Sequence, residues 1–517
     1  MNSITEAFIL VQSLNRGERK RVSQHLDQDS NQFKLFTKLK KPDLSEKDLD
    51  WKTTYDKNDT GGLLIKKIAE SMLSFGYTGS RQINNKTQKR KQVIQWCIMD
   101  AQFYYERNIF RLSKKYLLDA EREAIKIYAY PELLTIYNLL LDLTIRLAGN
   151  KLSADIDERH LLDNINDCMA AIKEYTQFRA LNIQLYASTK QGFGAIDKKA
   201  IQANFQEKLQ LPPQSTLALQ RFYQAKGLYY LLIDKPHDAL TYNTKARDWW
   251  EKPENEAYKN EEKYQYLLTL NNNAQSCISI IYNRLTEGSN LYVQYQEELE
   301  EILSKIERDC KALRKDEELK IKAAYYKNRV NQLILSKQLD KVELLVDEKI
   351  RKEKRLFDRF SVKDKIVLLC QYAAVCFRQK KYDKSYCQII QCYQFSGENT
   401  AIRRDLVQHL YLLEAVIYTI FKEMDGQKIE QYYRGKCPIT RNLQLLKTNS
   451  EKSYLIKGLE LLLSFNACLP SERKKKFQPF AAHICQHTNL TFAMDIISWL
   501  KQYPLSSGLT QVNVIQI

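Results

Sequence analysis

The sequence predicts an all-α protein built as an array of antiparallel helix pairs, and three observations predict it. The 517 residues include only 15 Gly and 10 Pro, well below what turn-rich β folds or glycine-dependent nucleotide sites require. Apolar residues recur three and four apart through most of the chain, the period of an amphipathic helix. Three stretches also carry small residues at matched places on two consecutive helices, so that backbones approach closely while Tyr, Leu or Ile fills the space beside them.

Hydrophobic residues make up 44% of the chain and charged residues 27%, enough to bury a core and outside the range of compositional disorder. Residues 1 to 40 read as an N-terminal helical cap. Ile4, Phe8, Val11 and Leu14 share one face, and a second short helix runs from about Arg16 to Leu26. Residues 41 to 91 read as a loop-rich linker with one helix. Pro42 and DKNDTGG precede an apolar pattern from Leu63 to Phe75, and GYTGSRQINNKTQKRK follows it.

Residues 92 to 400 form the predicted repeat array. The first matched stretch has Ala101 and Tyr104 on one helix and Leu117 and Ala120 on the next, with Pro131 opening another. The second, AKGLYYLLIDKPHDALTYNTKARDWW, has Gly227 and Tyr230 before a turn, then Ala239 and Ala246. The third has Ala373 and Cys376, then Tyr382, Ser385, Ile389 and Cys392. Between them, Leu333, Leu335, Leu339, Val342 and Leu345 mark two helices around SKQLD. Residues 401 to 505 read as a helical continuation, and residues 506 to 517 as a non-helical tail. Its VNVIQI has the alternatives of a short strand, a partner-inserting peptide or a packed end.

These residues resemble a divergent tetratricopeptide-repeat protein. The family pattern expects small, aromatic, alanine and alanine residues where Gly227, Tyr230, Ala239 and Ala246 stand. The Ala101 and Ala373 stretches match less fully, the third having Ser385 and Cys392 in place of alanines. The resemblance implies an α-solenoid, a right-handed superhelix that holds peptides or partner proteins in a groove lined by the first helix of each pair. Candidate groove residues are then Gln95, Ile98, Gln102 and Tyr105; Arg221, Gln224, Leu228 and Leu231; and Cys370, Ala374, Phe377 and Arg378. Internal packing is the alternative for Leu228, Leu231 and Phe377. The set does not reproduce a recurrent lysine and asparagine clamp for terminal carboxylates.

Catalytic and cofactor signatures are absent from the pattern. There is no GxxxxGK[ST] loop and no GxGxxG fingerprint, and Gly192 and Gly194 in KQGFGAID lack the later glycine and preceding strand of a dinucleotide site. Eleven cysteines without a CxxC pair give neither a disulfide framework nor a zinc module. Cys370, Cys376, Cys387 and Cys392 read as small hydrophobes on helix faces. His483 and His487 stand one helical turn apart in HICQH, too few ligands to enclose a metal. His237, in DKPHDAL, sits at a helix start where Asp234 and Asp238 suit the exposed N–H groups. The acidic strings EELEEIL and KDEELK read as solvated faces. The reading is therefore non-enzymatic, with no cofactor.

Lys plus Arg number 80 against 62 Asp plus Glu, a formal net charge of +18, which steers anionic partners without establishing a contact. Three basic runs carry candidate polyanion contacts: Lys86, Lys89, Arg90 and Lys91; Lys349, Arg351, Lys352, Lys354 and Arg355; and Arg473, Lys474, Lys475 and Lys476. Converged on one surface, they would bind phosphates in a salt-sensitive way. Apolar runs such as LYLLEAVIYTIF are shorter than the roughly 18 residues of a membrane span. The N-terminus lacks a basic leader region, so a cytoplasmic location is expected. The leading expectation is a scaffold or adaptor that captures a protein or peptide partner, with an RNA- or DNA-associated regulator as the alternative.

Overall fold

The computed structural model describes residues 3–41, 60–73, 89–146, 157–188, 197–286, 292–352, 356–397, 404–424, 426–434, 437–449 and 453–467, with 479 and 483 as single positions. Among these described residues there are twenty-three α-helices and no strand. The 506–517 tail, Gly192, Gly194, Cys485 and His487 lie outside the described residues. The chain divides into two compact units, one of Met1–Gln177, Pro213–Leu219 and Trp250–Glu262, the other of Phe178–Pro212, Gln220–Trp249 and Lys263–Ile517.

The first unit begins with α1 (Ser3–Ser13), α2 (Arg16–His25), α3 (Asn31–Leu39) and α4 (Thr60–Leu73), with α4 packed against all three. Then come α5 (Lys89–Glu106), α6 (Phe110–Lys126) and α7 (Tyr130–Arg146). Helix α2 starts at a reciprocal cap, in which the Glu18 amide donates to Asn15 Oδ1 and the Asn15 amide to Glu18 Oε2, each at 2.9 Å. The other Glu18 oxygen accepts from Arg107 Nη2 at 2.9 Å. That pair ties α2 to the end of α5, over a core in which Leu10, Phe36, Ile68, Tyr104 and Ile109 meet.

The helices that follow are α8 (Glu158–Ser188), α9 (Lys198–Phe205), α10 (Thr216–Leu232), α11 (Pro236–Glu251), α12 (Glu256–Glu261), α13 (Lys263–Thr286), α14 (Val293–Asp309), α15 (Lys315–Leu335) and α16 (Leu339–Leu344). The last run is α17 (Leu356–Arg359), α18 (Val362–Arg378), α19 (Tyr382–Gly397), α20 (Arg404–Met424), α21 (Gly426–Tyr433), α22 (Pro438–Asn449) and α23 (Ser453–Ala467). In the second unit packing follows chain order. Helix α13 packs on α14 and α15, α15 on α16 and α18, α18 on α19 and α20, and α20 on α21, α22 and α23.

Five of the connections share one backbone geometry. Asn108, Tyr128, Asp234, Lys337 and Lys380 have φ values of 57, 52, 64, 58 and 61°, the left-handed region. In each, that residue's amide donates to the carbonyl three residues back and the next amide to the carbonyl five back. Asp234 bonds Leu231 and Lys235 bonds Tyr230; Lys380 bonds Phe377 and Lys381 bonds Cys376. This is the Schellman closure of a helix C-terminus, which pairs carbonyls that the helix leaves open. None of the five residues is glycine.

The turns set the register of the close contacts. Ala101, Ser113 and Ala120 stand seven residues before, five after and twelve after Asn108. Gly227, Ala239 and Ala246 repeat this about Asp234, and Ala373, Ser385 and Cys392 about Lys380. All nine are buried. Ser385 Oγ donates to the Ala373 carbonyl at 2.8 Å, so the hydroxyl that replaces a methyl is satisfied. Around Lys337 the equivalent positions are Val330 and Val342, both fully buried. There the π-turn Leu345–Arg351 adds one residue to the winding. Ile350 is thereby turned inward in place of Lys349.

Gly227 is required by the approach of α10 to α11, since a Cβ there would lie 2.2 Å from Asn243 Oδ1. Asn243 is buried and held by its Nδ2 donating to Ser276 Oγ at 3.0 Å, so it has no room to withdraw. Gly227→Ala is expected to lower stability by about 1–3 kcal/mol through overpacking. Lys380→Gly is expected to raise it by about 0.5–1 kcal/mol by relieving left-handed strain. Urea denaturation of the two variants checks both signs.

Candidate functional site

Helix α13 carries the feature that most needs a functional explanation. Leu267, Leu270, Ala274, Cys277 and Ile281 are buried on one side. On another, Gln265, Leu268, Asn272, Gln275 and Ser279 form a half-buried stripe at spacings of three and four. Four of those five side chains are polar, and three are amides. The face continues onto α15 with Asn331 and onto α18 with Gln371, both half-buried.

Hydrogen bonds join these first helices through the same residues. Arg221 Nη1 donates to Gln224 Oε1 at 3.0 Å and to Gln265 Oε1 at 2.9 Å, and Gln224 Nε2 donates to Thr269 Oγ1 at 2.6 Å, linking α10 to α13. Asn328 Nδ2 donates to Asn271 Oδ1 at 3.3 Å, linking α15 to α13. Gln371 Nε2 donates to Asn331 Oδ1 at 2.5 Å and to the Lys327 carbonyl at 3.2 Å, linking α18 to α15. Asn272 Nδ2 donates to the Tyr186 hydroxyl of α8 at 3.1 Å.

Two members keep hydrogen-bonding capacity among the described residues. Gln371 Oε1 is buried and meets no described donor, and Gln275 makes no side-chain hydrogen bond to a described residue. An amide offers both a donor and an acceptor, and an unpaired buried one costs free energy until something meets it. The face is chemically suited to holding polar groups that carry both functions, a peptide bond among them.

The expected groove residues divide by burial. In the first unit Gln95 and Gln102 are exposed and Ile98 is buried, while Tyr105 is half-buried beneath the Arg146 guanidinium, 4.8 Å from its ring centre. In the second unit Arg221, Gln224 and Leu228 are buried and Leu231 is half-buried. Cys370, Ala374 and Phe377 lie in the apolar core that they share with Val407, Leu410 and Leu413 of α20. That packing covers them because α20 follows directly upon the pair to which they belong. Arg378 is half-buried, and desolvation lowers its guanidinium pKa against the opposing influence of Tyr282.

The described basic-run residues have acidic partners. Arg90 Nη1 lies 3.4 Å from Glu123, Lys91 Nζ 2.6 Å from Glu262, Lys349 Nζ 3.8 Å from Glu307, Arg351 Nη1 3.7 Å from Asp347 and Lys352 Nζ 2.6 Å from Glu348. Arg90 and Lys91 belong to the first unit, and Lys349, Arg351 and Lys352 to the second. Lys86, Lys354, Arg355, Arg473, Lys474, Lys475 and Lys476 lie outside the described residues, as does the side chain of Lys89.

Among the described residues no three His, Cys, Asp or Glu side chains are grouped to hold a metal ion, and no helix is long and apolar enough to cross a membrane. Burial pushes the Cys97 and Cys168 thiols up to about 11 and Cys376 up to about 12. Cys370 and Cys392 face one another at 3.8 Å, both buried. No family model matches the chain, and neither a curated protein nor a solved structure matches it.

Gln265, Asn272, Gln275, Asn331 and Gln371 were not singled out by the sequence pattern. The signal lay in LTLNNNAQS, where amides fill a helix face. It stayed hidden because α13 and α14 are joined by a longer connection, so the twelve-residue spacing of small residues that exposed the other pairs is missing. Iodoacetamide at mildly alkaline pH is expected to label the exposed Cys387 well before Cys370, Cys376 or Cys392. Peptide mapping of a labelling time course checks the order, and early labelling of Cys376 contradicts the burial.

Proposed function

We propose that the chain is a non-enzymatic protein-interaction scaffold, a tetratricopeptide-like α-solenoid, and that a partner segment binds the amide-lined face of α13, α15 and α18. One observation carries this reading: half-buried amides at helical spacing continue across three successive first helices, and Gln275 among them makes no side-chain hydrogen bond to a described residue. Helix pairs packed in chain order support the solenoid class. The nucleic-acid alternative draws less support, since Arg90, Lys91, Lys349, Arg351 and Lys352 already face carboxylates, which lowers their pull on phosphates.

The test removes three half-buried amides, two of which also bond a neighbouring helix, so folding is checked alongside binding. A Gln265→Ala, Gln275→Ala, Gln371→Ala triple variant with an unchanged circular dichroism spectrum is expected to lose about a hundredfold in affinity, from three hydrogen bonds at about 1 kcal/mol each. The assay is recovery of a stoichiometric protein partner from nuclease-treated extract, wild type against variant. Equal recovery by both proteins would remove this face from the reading, and recovery that depends on nucleic acid would favour the alternative.

A further inference from the structure

The pair of α10 and α11 carries a second polar face, on the side of α10 away from Arg221 and Gln224. Tyr223, Lys226 and Tyr230 recur there at steps of three and four, and they meet Tyr242 and Lys245 of α11. The Tyr230 and Tyr242 rings stack with centres 5.5 Å apart, and Tyr223 lies 6.4 Å from the same Tyr242 ring. Lys226 Nζ is 4.6 Å and Lys245 Nζ 5.0 Å from the Tyr242 ring centre. The three tyrosines and Lys226 are half-buried, and Lys245 is exposed.

Two ammonium groups therefore share one ring, and neither is ion-paired among the described residues. The ring attracts each of them weakly while they repel one another, so an anion that bridges them relieves a repulsion that the fold leaves standing. The described members of the basic runs differ, since each faces a carboxylate. The tyrosines add donors, because the Tyr223, Tyr230 and Tyr242 hydroxyls make no hydrogen bond to a described residue.

Two positive charges with three hydroxyl donors match one chemical group. A phosphate monoester carries close to two negative charges at neutral pH and three strong acceptor oxygens, whereas a carboxylate has one charge and two oxygens. The surroundings restrict the ligand to a compact anion. Asp238, one helical turn before Tyr242, is exposed and not ion-paired among the described residues. Beyond Lys245 the next cation, Arg247, lies 3.1 Å from Glu298 and 3.5 Å from Asp248. Lys235, in the turn, is flanked in sequence by Asp234 and Asp238, and Asp234 takes Lys198 at 3.0 Å. A nucleic-acid strand or an anionic membrane surface needs cations in succession, and here the series stops at two.

We propose that this face is a phosphate-monoester site, which takes a phosphorylated side chain of a partner protein between Lys226 and Lys245. It is separate from the amide-lined face and stands whether or not that face binds a partner.

The probe is a fluorescein-labelled pentapeptide with phosphoserine between glycines. Fluorescence anisotropy with the full chain compares it with the serine and glutamate forms of the same peptide and with labelled oligodeoxythymidylate, all at one ionic strength. The phosphoserine form is expected to bind at least about tenfold more tightly than either other peptide. Lys245→Gln, at an exposed position, is expected to weaken it about tenfold, and Tyr242→Phe, which keeps the ring and removes only the hydroxyl, about threefold. Asp238→Asn is expected to tighten it about twofold. Circular dichroism confirms that each variant is folded. Equal binding of the three peptides overturns the proposal, as does indifference to both Lys245→Gln and Tyr242→Phe. An oligonucleotide that binds more tightly than the phosphopeptide and is weakened by the same variants overturns it in favour of nucleic acid.

Discussion

The recurrent constraint is a backbone turn. A helix ends with two carbonyls closed by amides that have already turned back, and this needs one residue at positive φ. Five connections use that closure, at Asn108, Tyr128, Asp234, Lys337 and Lys380. Because the turn fixes how far the second helix is displaced along the first, it also fixes which residues meet. Those positions are occupied by Ala101 with Ser113, Gly227 with Ala239 and Ala373 with Ser385. Three of the five turns combine that register with small residues and so with close helix approach, while the turns at Tyr128 and Lys337 place Glu121 with Leu133 and Val330 with Val342 at the same positions.

Polarity between successive first helices is carried by uncharged side chains, joined through Gln224 and Thr269, Asn271 and Asn328, and Asn331 and Gln371. Such bonds contribute only about 1 kcal/mol each, yet an unpaired member costs more than that, so they specify register more than they add stability. Between second helices the bridges are charged. Lys384 Nζ reaches Glu343 at 2.6 Å and Asp347 at 2.7 Å, and the same Asp347 accepts from the Tyr372 hydroxyl at 2.6 Å. The Lys381 and Lys384 hydrogen bonds hold the Glu343 carboxyl below its usual range.

The all-α class and the paired helices were legible because scarce glycine and helical periodicity are properties of the whole chain. The three small-residue registers were legible because each pair is joined by the same turn, which keeps their spacing constant. Elsewhere the signal failed for identifiable reasons. The α15 and α16 pair hides its register because a π-turn inserts one residue and shifts Ile350 into the place that Lys349 would take. The turns themselves were illegible to a glycine search, since Asn, Tyr, Asp and two Lys residues adopt the left-handed conformation. Groove candidates implied by the repeat resemblance mixed buried and open positions, because Cys370 and Phe377 are covered by α20, a helix outside the pair that it seals.

Burial also separates two kinds of cysteine and carboxylate that composition cannot distinguish. Cys376 and Cys392 behave as small hydrophobes whose thiols desolvation keeps protonated, so their positions in the register answer to volume. Glu414, fully buried, is a charge that the fold tolerates because Arg441 Nη2, Asn442 Nδ2 and the Tyr393 hydroxyl donate to it at 2.7, 2.8 and 3.0 Å. Without those donors an ionised carboxylate at that depth would be strongly disfavoured. The apolar core that α18 shares with α20 is therefore closed on one side by a satisfied polar cluster. Along the amide-lined face, hydrogen-bonding capacity unmet among the described residues stands at Gln275 of α13 and at Gln371 Oε1 of α18. The core carries unmet groups too, at Gln220 and Asn243 Oδ1, so what suits that face to binding is the partial exposure of its amides and not the imbalance alone.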